Sequence, residues 1–472
     1  MKRTKIVATL GPSSSDAAVL ESMLHAGVNV FRVNFSHGSH EQHRGTIQTI
    51  RGILDRTGMT AAILADLQGP KLRVGNVEEG AIVNPGDRVT FTNQKCEGTK
   101  QRVYMTYTEF PNDVNPGETI LLDDGKLMMR VISTNRKDEV VAEVVQGGPL
   151  KSKKGVNLPN TRVSLPCLTE KDLADLKVAM EEGVDWIGLS FVRNAQDIKE
   201  LRTILNKNKN SAGIVAKIEK PEAVSDIERI LDETDGVMVA RGDLGVEVPL
   251  ESVPMIQKMI VAKAVERAKP VIVATQMMES MIDSMAPSRA EVNDVANAVL
   301  DGADAVMLSG ETSVGKYPVE VVATMAKIVA AAETSGIHHI KERKPKNNDE
   351  RFVNNAICYQ AAKMANLVEA NAIATLTFSG YSAQLISSFR PKSNIYAFTS
   401  NKAILNKISL YWGVCGFYYD GMVSTDQSMM DITQKLREEK LVEDGDYIIQ
   451  LGSMPIQKRG TTNTMRIKKV GE

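Results

Sequence analysis

Short apolar runs alternate with longer segments of helical spacing along most of this chain, and this alternation constrains the fold most strongly. Continuous apolar strands that alternate with helices are typical of a parallel sheet covered by helices on both faces. Eight such strands favour a closed barrel, so we predict an α/β fold built on a (β/α)8 barrel of TIM type. The eight runs are Lys5–Gly11, Val28–Ser36, Ala61–Asp66, Trp186–Val192, Gly213–Glu219, Gly236–Asp243, Pro270–Gln276 and Ala305–Ser309.

An internal repeat supports the barrel. A glycine, an apolar residue and Asn or Asp precede three of the strands, at residues 27–29, 183–185 and 302–304. Each glycine is expected to end a helix in the left-handed conformation, and the polar residue turns the chain into the strand. Polar residues also end these strands, at the barrel face where catalytic residues gather. They are Asn34, Ser190 and Ser309.

The alternation stops between residues 69 and 166, where Val- and Thr-rich runs are divided by turn signals. Asn84–Asp87 and Asn115–Glu118 have the composition of one turn used twice, and Asp124-Gly125 suggests a hairpin. We predict a small all-β domain inserted after the third barrel strand, above the barrel mouth, where it can act as a lid. The barrel domain then comprises residues 1–68 and 167–340, and the lid, which we expect to be a small β-barrel, comprises residues 69–166.

Residues 341–472 are expected to form a third, α/β domain with a regulatory role. Lys341–Arg351 is charged and contains Pro and Asn, which indicates a linker. A helix is predicted at Met429–Leu441, before the last strand. The predicted strands are Ala372–Phe378, Asn394–Phe398, Gly413–Tyr418 and Tyr447–Leu451.

Composition narrows the class of protein. A net charge of −1, from 57 basic and 58 acidic residues, argues against a nucleic acid or a membrane surface as partner. The four cysteines form no C-x-x-C pair, which argues against a zinc site or a disulfide framework and fits a reducing compartment. The first apolar run is too short for a signal peptide, and no run approaches the roughly 18 apolar residues of a membrane span. We therefore expect a cytoplasmic protein.

The first candidate site lies at the end of the second strand. In a strand, Arg32, Asn34 and Ser36 share one face. Their polar groups are costly on the inner face of a barrel unless they bind something. A buried polar network is the structural alternative, but the planar fork of arginine is suited to an oxyanion, and this favours a ligand.

The second candidate site combines Lys217 and Glu219, which end the fifth strand on one face, with Asp243, which ends the sixth. A Lys–Glu pair alone is common on protein surfaces. The additional carboxylate indicates a site for a cation and a phosphate, because Mg²⁺ takes one or two carboxylates and completes its octahedron with substrate oxygens and waters. Lys217 would neutralise charge on a phosphoryl group in transfer, and the glycines beside Asp243 allow a backbone N–H to approach an anion.

Two weaker signals follow. Thr275 ends the seventh strand with a hydroxyl that could orient a proton, although threonine is an ordinary strand residue. Gly310–Lys316 has the spacing of a P-loop. Tyr317 stands where that motif needs Ser or Thr, and Pro318 follows, so we interpret the segment as a loop that opens a helix.

A phosphate cradle is suggested in the last domain. Thr377–Ala383 joins a strand to a helix and places hydroxyl and N–H groups at the helix N-terminus. Simple N-capping by Ser or Thr explains these residues about equally well. The basic loop Lys458–Thr464 favours a phosphate ligand.

In combination, these motifs resemble the pyruvate kinase family over all three domains. The family's reaction, in which phosphoenolpyruvate and ADP give pyruvate and ATP, is therefore expected here, with the all-β insert closing over both substrates. The motifs that carry the resemblance are Thr4–Pro12, Arg32–Gly38, Asp66–Arg73, Lys153–Pro159, Lys217–Glu219, Met238–Glu247, Ala274–Met278 and Ser309–Glu311.

The resemblance also implies roles for single residues. Glu219 and Asp243 would hold Mg²⁺ or Mn²⁺, and Lys217 would stabilise the transferring phosphoryl group. Arg32 would bind the phosphoryl group, and Thr275 would lie near the enolate carbon that must be protonated. The residues implied to contact phosphoenolpyruvate are Arg32, Lys217, Gly242, Asp243 and Thr275. Those implied on the nucleotide side are Asn34, His37, Arg73 and Lys154.

One departure from the family pattern concerns the monovalent cation. Members that require K⁺ have Thr where this chain has Leu67 and Glu where it has Lys71. An ammonium group at Lys71 can supply the positive charge that K⁺ otherwise provides, so we expect activity without K⁺. If the cation site is used, its ligands would be Asn34, Ser36, Asp66 and Leu67.

The last domain resembles the family's effector domain. Thr377, Ser379, Ser382 and Arg459 would bind a phosphorylated sugar or nucleotide and shift the affinity for phosphoenolpyruvate. Members of the family are typically homotetramers, so a homotetramer is expected.

Two other functions remain as alternatives. A barrel lyase or aldolase that stabilises an enolate with Mg²⁺ would share Glu219 and Asp243, but it has no use for a lid or for Lys217 against a phosphoryl group. A regulatory binding protein that had lost catalysis would be expected to lack one of the catalytic side chains.

Overall fold

The chain begins as a series of strands and helices that build one side of a barrel. A computed structural model describes residues 2–335, 343–345, 350–456 and 460–472. The first elements are β1 Lys5–Thr9, α1 Ala17–Ala26, β2 Val30–Asn34, α2 His40–Thr57 and β3 Ala62–Asp66.

The segment after β3 is all-β apart from one short helix, as predicted for the insert. Six of its strands form one sheet, and the other two pair with each other. The elements are β4 Ile82–Val83, β5 Arg88–Thr92, β6 Arg102–Tyr104, α3 Phe110–Asp113, β7 Thr119–Leu122, β8 Leu127–Thr134, β9 Glu139–Gln146, β10 Gly148–Pro149 and β11 Val156–Asn157. The sheet order is β11-β7-β8-β9-β5-β6.

The turns of the insert follow from its sequence. Asn84–Asp87 and Asn115–Glu118 do adopt the same turn, with Gly86 and Gly117 at φ of 90° and 91°. In each turn the last side chain accepts the N–H of the first residue, at 2.8 and 3.0 Å. β7 and β8 form the hairpin that Asp124-Gly125 predicts.

The chain then returns to complete the barrel. β1 pairs with β16, so the eight parallel strands close in the order β1-β16-β15-β14-β13-β12-β3-β2, and the predicted (β/α)8 barrel is confirmed. The elements are α4 Glu170–Glu181, β12 Trp186–Leu189, α5 Ala195–Lys207, β13 Gly213–Ile218, α6 Pro221–Ser225, α7 Ile227–Glu233, β14 Gly236–Ala240, α8 Arg241–Glu247, α9 Val253–Glu266, β15 Val271–Ala274, α10 Arg289–Leu300, β16 Ala305–Leu308, α11 Gly310–Ser313 and α12 Pro318–Thr334.

The segment with P-loop spacing is the short helix α11 and a turn, and Pro318 occupies the first turn of α12. The interpretation of this segment as a loop that opens a helix is therefore confirmed. Proline suits this position because its missing N–H has no partner inside a helix.

Alternate residues of the barrel strands face opposite sides of the wall. In β13, Ile214 and Ala216 pack outward among the apolar residues of the helices, whereas Val215 packs inside the barrel. Lys217 has the same parity as Val215, so the strand brings its side chain to the inner face, at the carboxyl end.

The opposite end of the barrel is where the repeated Gly-x-Asn/Asp motif lies. Gly27, Gly183 and Gly302 all have positive φ, as predicted. The polar residue of each motif has a further role, because its side chain accepts the N–H of a residue at the start of the neighbouring strand, at 2.7 to 3.1 Å. Asp235 makes the same bond before β14, at 2.8 Å. These four acceptors, which we call the floor residues, are Asn29 with Ile6, Asp185 with Ile63, Asp235 with Ile214 and Asp304 with Val271.

Each floor residue also contacts one cation, at 2.5 to 3.0 Å. The cations are Lys2 on Asn29, Arg51 on Asp185, Arg202 on Asp235 and Arg390 on Asp304. The polar groups of this barrel end therefore bind one another and the backbone.

The C-terminal domain is a five-stranded sheet with helices, packed against the barrel floor. Its strand order is β19-β18-β17-β20-β21, parallel except for β21. Trp186 of the barrel contacts the Tyr411 ring at 6.3 Å and donates its indole N–H to the Lys407 carbonyl, so the barrel interior and this domain share one core. The elements are α13 Phe352–Leu367, β17 Ala372–Leu376, α14 Tyr381–Ser388, β18 Asn394–Thr399, α15 Lys402–Lys407, β19 Val414–Tyr418, α16 Thr425–Glu438, β20 Tyr447–Gly452 and β21 Thr464–Lys469.

Two features of this domain differ from the sequence-based expectation. Strand β21 was not predicted, because it is an edge strand with charged residues in place of a continuous apolar run. Helix α16 begins four residues before the predicted Met429, because Ser424 caps it by accepting the Gln427 N–H at 3.2 Å. Most of the predicted linker Lys341–Arg351 lies outside the described residues, as does Arg459. Within the described ranges, no helix is both long and apolar enough to cross a bilayer.

Candidate active site

Five charged side chains from β2, β3, β13, the residue after β13 and the start of α8 meet at the carboxyl end of the barrel. They are Arg32, Asp66, Lys217, Glu219 and Asp243. Four of them were predicted from the parity and the ends of their strands, and Asp66 entered through the resemblance. Three carboxylates face two cations, so the cluster carries an excess of negative charge.

Lys217 lies at the centre of this cluster. Its ammonium group donates to Ser190 Oγ at 2.7 Å and lies 3.0 Å from Glu219 Oε1 and 3.3 Å from Asp66 Oδ1. Burial alone would lower the pKa of Lys217, but the two carboxylates outweigh that effect and raise the pKa above its ordinary value. Lys217 is therefore held as a charged ammonium group.

Arg32 is held by Asp66 and Thr9. Its Nε and Nη2 atoms both lie 2.6 Å from Asp66 Oδ2, and Nη1 donates to Thr9 Oγ1 at 2.9 Å. Burial opposes ionisation of Asp66, but Lys217 and Arg32 outweigh it and lower the pKa of this carboxyl group. A guanidinium carries five N–H groups, so these contacts leave some of them for an anion.

The donor set of Glu219 and Asp243 fits a hard divalent cation. Glu219 is buried, and the Phe191 N–H donates to its Oε2 at 2.8 Å. Burial and the nearby charge of Asp243 raise the pKa of Glu219, although Lys217 opposes them. Among the residues that the structure describes, no group of three or more His, Cys, Asp or Glu could hold a metal. A two-carboxylate site suits Mg²⁺, which takes its remaining ligands from substrate and water.

A hydrogen bond joins Thr275 and Gly242, which follow the adjacent strands β15 and β14. The Gly242 N–H donates to Thr275 Oγ1 at 2.7 Å, and that hydroxyl donates to the Ala274 carbonyl at 2.6 Å. Thr275 has a φ of 70°, which a β-branched residue adopts at a cost of about 1–3 kcal/mol. The strand thus ends in a strained residue whose hydroxyl is fixed.

Arg241 holds this strained end, a role that the sequence did not reveal. Its guanidinium donates to the carbonyl oxygens of Thr275 at 2.6 Å and Ala274 at 3.2 Å, and it pairs with Asp294 at 2.7 Å. The only signal in the sequence was an arginine placed directly before Gly242 and Asp243.

The residues expected on the nucleotide side come from two parts of the molecule. Asn34 ends β2, and His37 lies in the exposed segment that follows it. Arg73 and Lys154 lie side by side on the insert, where the Val74 N–H donates to the Lys154 carbonyl at 3.0 Å. Lys154 also pairs with Asp123 at 2.9 Å.

The expected monovalent-cation ligands lie close to the charged cluster. Asn34 Oδ1 accepts the Ser36 N–H at 3.1 Å, and the Leu67 carbonyl accepts the Ser190 hydroxyl at 2.7 Å. Ser36 lies beyond the end of β2, so it does not continue the strand face as expected. Lys71 is exposed and lines the cleft described next.

A cleft separates the insert from the barrel, and both contribute to its walls. At its edge, Asn157 of β11 donates to Glu247 Oε1 at 2.8 Å, and Lys220 pairs with the same oxygen at 2.6 Å. Glu247 ends helix α8, which also carries Gly242 and Asp243, so this bond attaches the insert to the helix of the candidate site. The walls include Lys71, Leu72 and Asn157 of the insert and Phe191, Lys220 and Asp243 of the barrel.

The expected effector residues surround the start of α14. Thr377 Oγ1 accepts the Gly380 N–H at 3.0 Å, and Ser379 is exposed. The Ser382 hydroxyl is buried and shares a hydrogen bond with Thr375 Oγ1 at 2.9 Å, so it lies in the core of the domain. Arg459 lies outside the described residues.

Comparison with known proteins agrees with this arrangement. Family models described as the pyruvate kinase barrel domain and the pyruvate kinase alpha/beta domain match residues 1–322 and 355–468. The chain is 43% identical to the pyruvate kinase of Corynebacterium glutamicum over 100% of this chain and 98% of that protein. This chain is also 41% identical to the pyruvate kinase of Geobacillus stearothermophilus, over 100% of this chain and 81% of that protein.

The same relationship is seen in a solved structure. A crystal structure of a pyruvate kinase from Cryptosporidium parvum superposes with a TM-score of 0.92 at 35% identity, over 99% of this chain and 96% of that one. The matches cover the barrel, the insert and the C-terminal domain together. The chain therefore belongs to the pyruvate kinase family.

Proposed function

We propose that this chain transfers the phosphoryl group of phosphoenolpyruvate to ADP, giving pyruvate and ATP, in the last step of glycolysis in the cytoplasm. The observation that carries this proposal is the state of Lys217. It is a buried ammonium group, held charged by Asp66 and Glu219, at the mouth of a barrel under a lid. A positive charge fixed in a site with low water content stabilises an anionic transition state strongly.

Lys217 and Arg32 would act on the phosphoryl group. Transfer from the enol oxygen to the nucleotide spreads negative charge over the equatorial oxygens of the phosphoryl group. Lys217 offers its charge to these oxygens, and Arg32 offers N–H groups that Asp66 and Thr9 do not use. Because Asp66 contacts both cations, it fixes their separation before the substrate binds.

Glu219 and Asp243 would hold the divalent cation, Mg²⁺ or Mn²⁺. When bound, this cation supplies Lewis-acid charge that neutralises phosphoryl and enolate oxygens. The Phe191 N–H keeps Glu219 in place from the other side. The Gly242 N–H is bound to Thr275, which fixes the backbone beside Asp243.

Thr275 would orient the proton that ends the reaction. Loss of the phosphoryl group leaves the enolate of pyruvate, whose methylene carbon takes a proton that derives from solvent. The Thr275 hydroxyl is held in one direction by Gly242 and by the Ala274 carbonyl, so it can align this proton with the carbon. Arg241 keeps the strained backbone in the required conformation.

The test is a pyruvate-release assay with phosphoenolpyruvate, ADP and Mg²⁺ on the wild type and on Lys217→Met. We expect turnover in the wild type and a fall of at least about 10²-fold in the variant. Lys5→Met is the matched control, since Lys5 is a buried lysine on β1 that binds the Val414 carbonyl at the opposite end of the barrel. It should keep its turnover. No turnover in the wild type would exclude the proposal and favour a lyase or a binding protein.

Activity without added K⁺ is part of the proposal. The charged cluster has one carboxylate more than it has cations, and Lys71 lines the adjoining cleft. Turnover should be unchanged when K⁺ salts are replaced by a bulky organic cation. Lys71→Glu should make turnover dependent on K⁺, and a collapse of wild-type turnover in the organic cation would contradict this part.

The C-terminal domain is proposed to bind a phosphorylated sugar or nucleotide at the start of α14, in a homotetramer. The exposed Ser379 and the Thr377–Gly380 bond support a turn that an anion can approach. A panel of sugar phosphates and AMP should shift the saturation curve in phosphoenolpyruvate, and Ser379→Glu should abolish the shift. Unchanged saturation curves would exclude an effector of this kind. Sedimentation velocity tests the oligomeric state, and a species smaller than four chains would exclude the homotetramer.

A further inference from the structure

The chain passes from the barrel into the lid near Gly69 and returns to the barrel before Thr169, and both of these residues bind the carboxylate of Asp172. Asp172 lies in the first turn of α4 and is fully buried. Its Oδ1 accepts the N–H of Gly69, where the chain leaves the barrel, at 3.0 Å. Its Oδ2 accepts the N–H and the hydroxyl of Thr169, where the chain has returned, at 2.9 and 2.5 Å.

The bonds to Thr169 are those of an ordinary capping box, but the bond to Gly69 is additional. In helix α2 the equivalent position is Gln42, whose side chain reaches back only to the Ser39 N–H. Capping therefore needs one oxygen atom, and a neutral amide suffices. Asp172 uses its second oxygen on a residue 103 positions away in the chain.

Gly69 is packed directly against the segment that follows β12. It has a φ of 70°, and a Cβ atom there would lie 2.9 Å from the Phe191 ring and 3.0 Å from Ser190 Cβ. No larger residue fits without displacing this segment. The Gly69 backbone is therefore packed closely against Ser190 and Phe191.

Ser190 and Phe191 in turn contact the catalytic pair. Ser190 Oγ accepts a hydrogen bond from Lys217 at 2.7 Å, and the Phe191 N–H donates to Glu219 at 2.8 Å. A continuous series of contacts thus leads from Asp172 through Gly69 to Lys217 and Glu219.

We infer that Asp172 is a positioning residue for phosphoryl transfer, which holds the lid hinge against Ser190 and Phe191 and so fixes Lys217 and Glu219. This inference rests on the function proposed above. Asp172 touches neither substrate nor the proposed metal ligands, and it acts only through the residues between.

A matched pair of variants tests this role. Asp172→Ala and Thr169→Val both break the Thr169–Asp172 side-chain bond of the cap, but only Asp172→Ala also removes the acceptor of the Thr169 N–H and of the Gly69 N–H. We expect kcat to be about 10- to 100-fold lower in Asp172→Ala than in Thr169→Val, with a smaller change in KM for phosphoenolpyruvate. Asp172→Asn, whose amide oxygen can still accept the Gly69 N–H, should recover part of the loss. Equal kcat values in Asp172→Ala and Thr169→Val would overturn the inference.

Hydrogen exchange on the wild type tests the same bond without activity or mutation. The Gly69 amide should exchange as slowly as the Leu67 amide, which donates to the Gly188 carbonyl within the barrel. Exchange of Gly69 as fast as in the exposed turn at Glu79 would overturn the inference. Because this readout needs no turnover, it separates a failure of the hinge role from a failure of the proposed reaction.

Discussion

The two ends of the barrel use similar polar side chains for opposite purposes. At the floor, Asp304 accepts the Val271 N–H and pairs with Arg390, and the other floor residues repeat this pattern. At the mouth, Lys217 is shared among Ser190, Asp66 and Glu219. Each floor acceptor is thus bound by a basic side chain and by backbone N–H groups, whereas the mouth has more carboxylates than cations.

This difference shows how function can be located within a symmetric fold. Charged side chains that are paired with one another inside the protein stabilise the folded state and leave few polar groups free to bind a ligand. Unbalanced charge costs stability until a ligand arrives: at the mouth the charge of Asp243 adds to burial in raising the pKa of Glu219, whereas at the floor burial raises the pKa of Asp185 and the charge of Arg51 opposes it. Substitutions at the two ends should therefore separate stability from activity.

The largest expected effect is at the mouth. Glu219→Gln should lower turnover by about 10³-fold or more, because it removes a charged ligand of the proposed Mg²⁺ site. The melting temperature should stay the same or rise, since a buried charge near Asp243 is removed. Assays over a Mg²⁺ titration and thermal melts check both parts. A large loss of stability would show that Glu219 serves the fold as the floor residues do.

The reverse result is expected at the floor. Asp304→Ala leaves the Arg390 guanidinium buried without its carboxylate, so the free energy of unfolding should fall by about 3–5 kcal/mol. Turnover per folded molecule should be unchanged at a temperature well below the melting point. Asp304→Asn combined with Arg390→Met should recover part of the stability, and a fall in turnover that exceeds the unfolded fraction would break the comparison.

A pH dependence is expected at the floor from Asp185. Burial raises its pKa to about 6, although Arg51 opposes this. A carboxyl group with a raised pKa stabilises the fold at pH values below its unfolded pKa, and this contribution is lost as pH rises to about 6. Relative to Asp185→Asn, the wild type should therefore lose about 2 kcal/mol of unfolding free energy between pH 4 and pH 7. Denaturant titrations of both proteins measure the difference, and parallel pH curves would contradict it.

The smallest expected effect concerns the contact between lid and mouth. Asn157→Ala removes the bond to Glu247 and should raise the KM values of the substrates several-fold, by about 1 kcal/mol. Asn112→Ala is the control, because Asn112 bonds to Glu109 within the lid. Steady-state kinetics decide the point. Equal KM values in the two variants would show that the Asn157 bond does not contribute to closure.

The sequence predicts the barrel well, but it overestimates the length of the strands at their carboxyl ends, where the candidate site lies. The run Pro270–Gln276 reads as strand throughout, yet β15 ends at Ala274 because Thr275 and Gln276 have φ of 70° and 53°. The run Gly236–Asp243 likewise ends as strand at Ala240, where α8 begins. Apolar periodicity describes packing, so it misses backbone conformations that serve a site.

The site itself is predictable where parity applies and not where contacts are distant. The two-residue spacing of Lys217 and Glu219 predicts that both lie on one face, and the side chains do meet at 3.0 Å although Glu219 lies one residue beyond the end of β13. The bonds of Asp172 to Gly69 and of Asn157 to Glu247 join residues 103 and 90 positions apart. No local pattern marks such pairs, because chain topology alone brings them together.

The meeting of Gly69 and Thr169 at Asp172 has a consequence for protein engineering. The barrel holds the two ends of the lid side by side. The entropic cost of closing the inserted loop therefore grows only with the logarithm of the inserted length. Any segment inserted between these two residues begins and ends next to Asp172. The lid should therefore be replaceable by another domain. Chimeras in which an unrelated domain is inserted between Gly69 and Thr169 should retain a folded barrel.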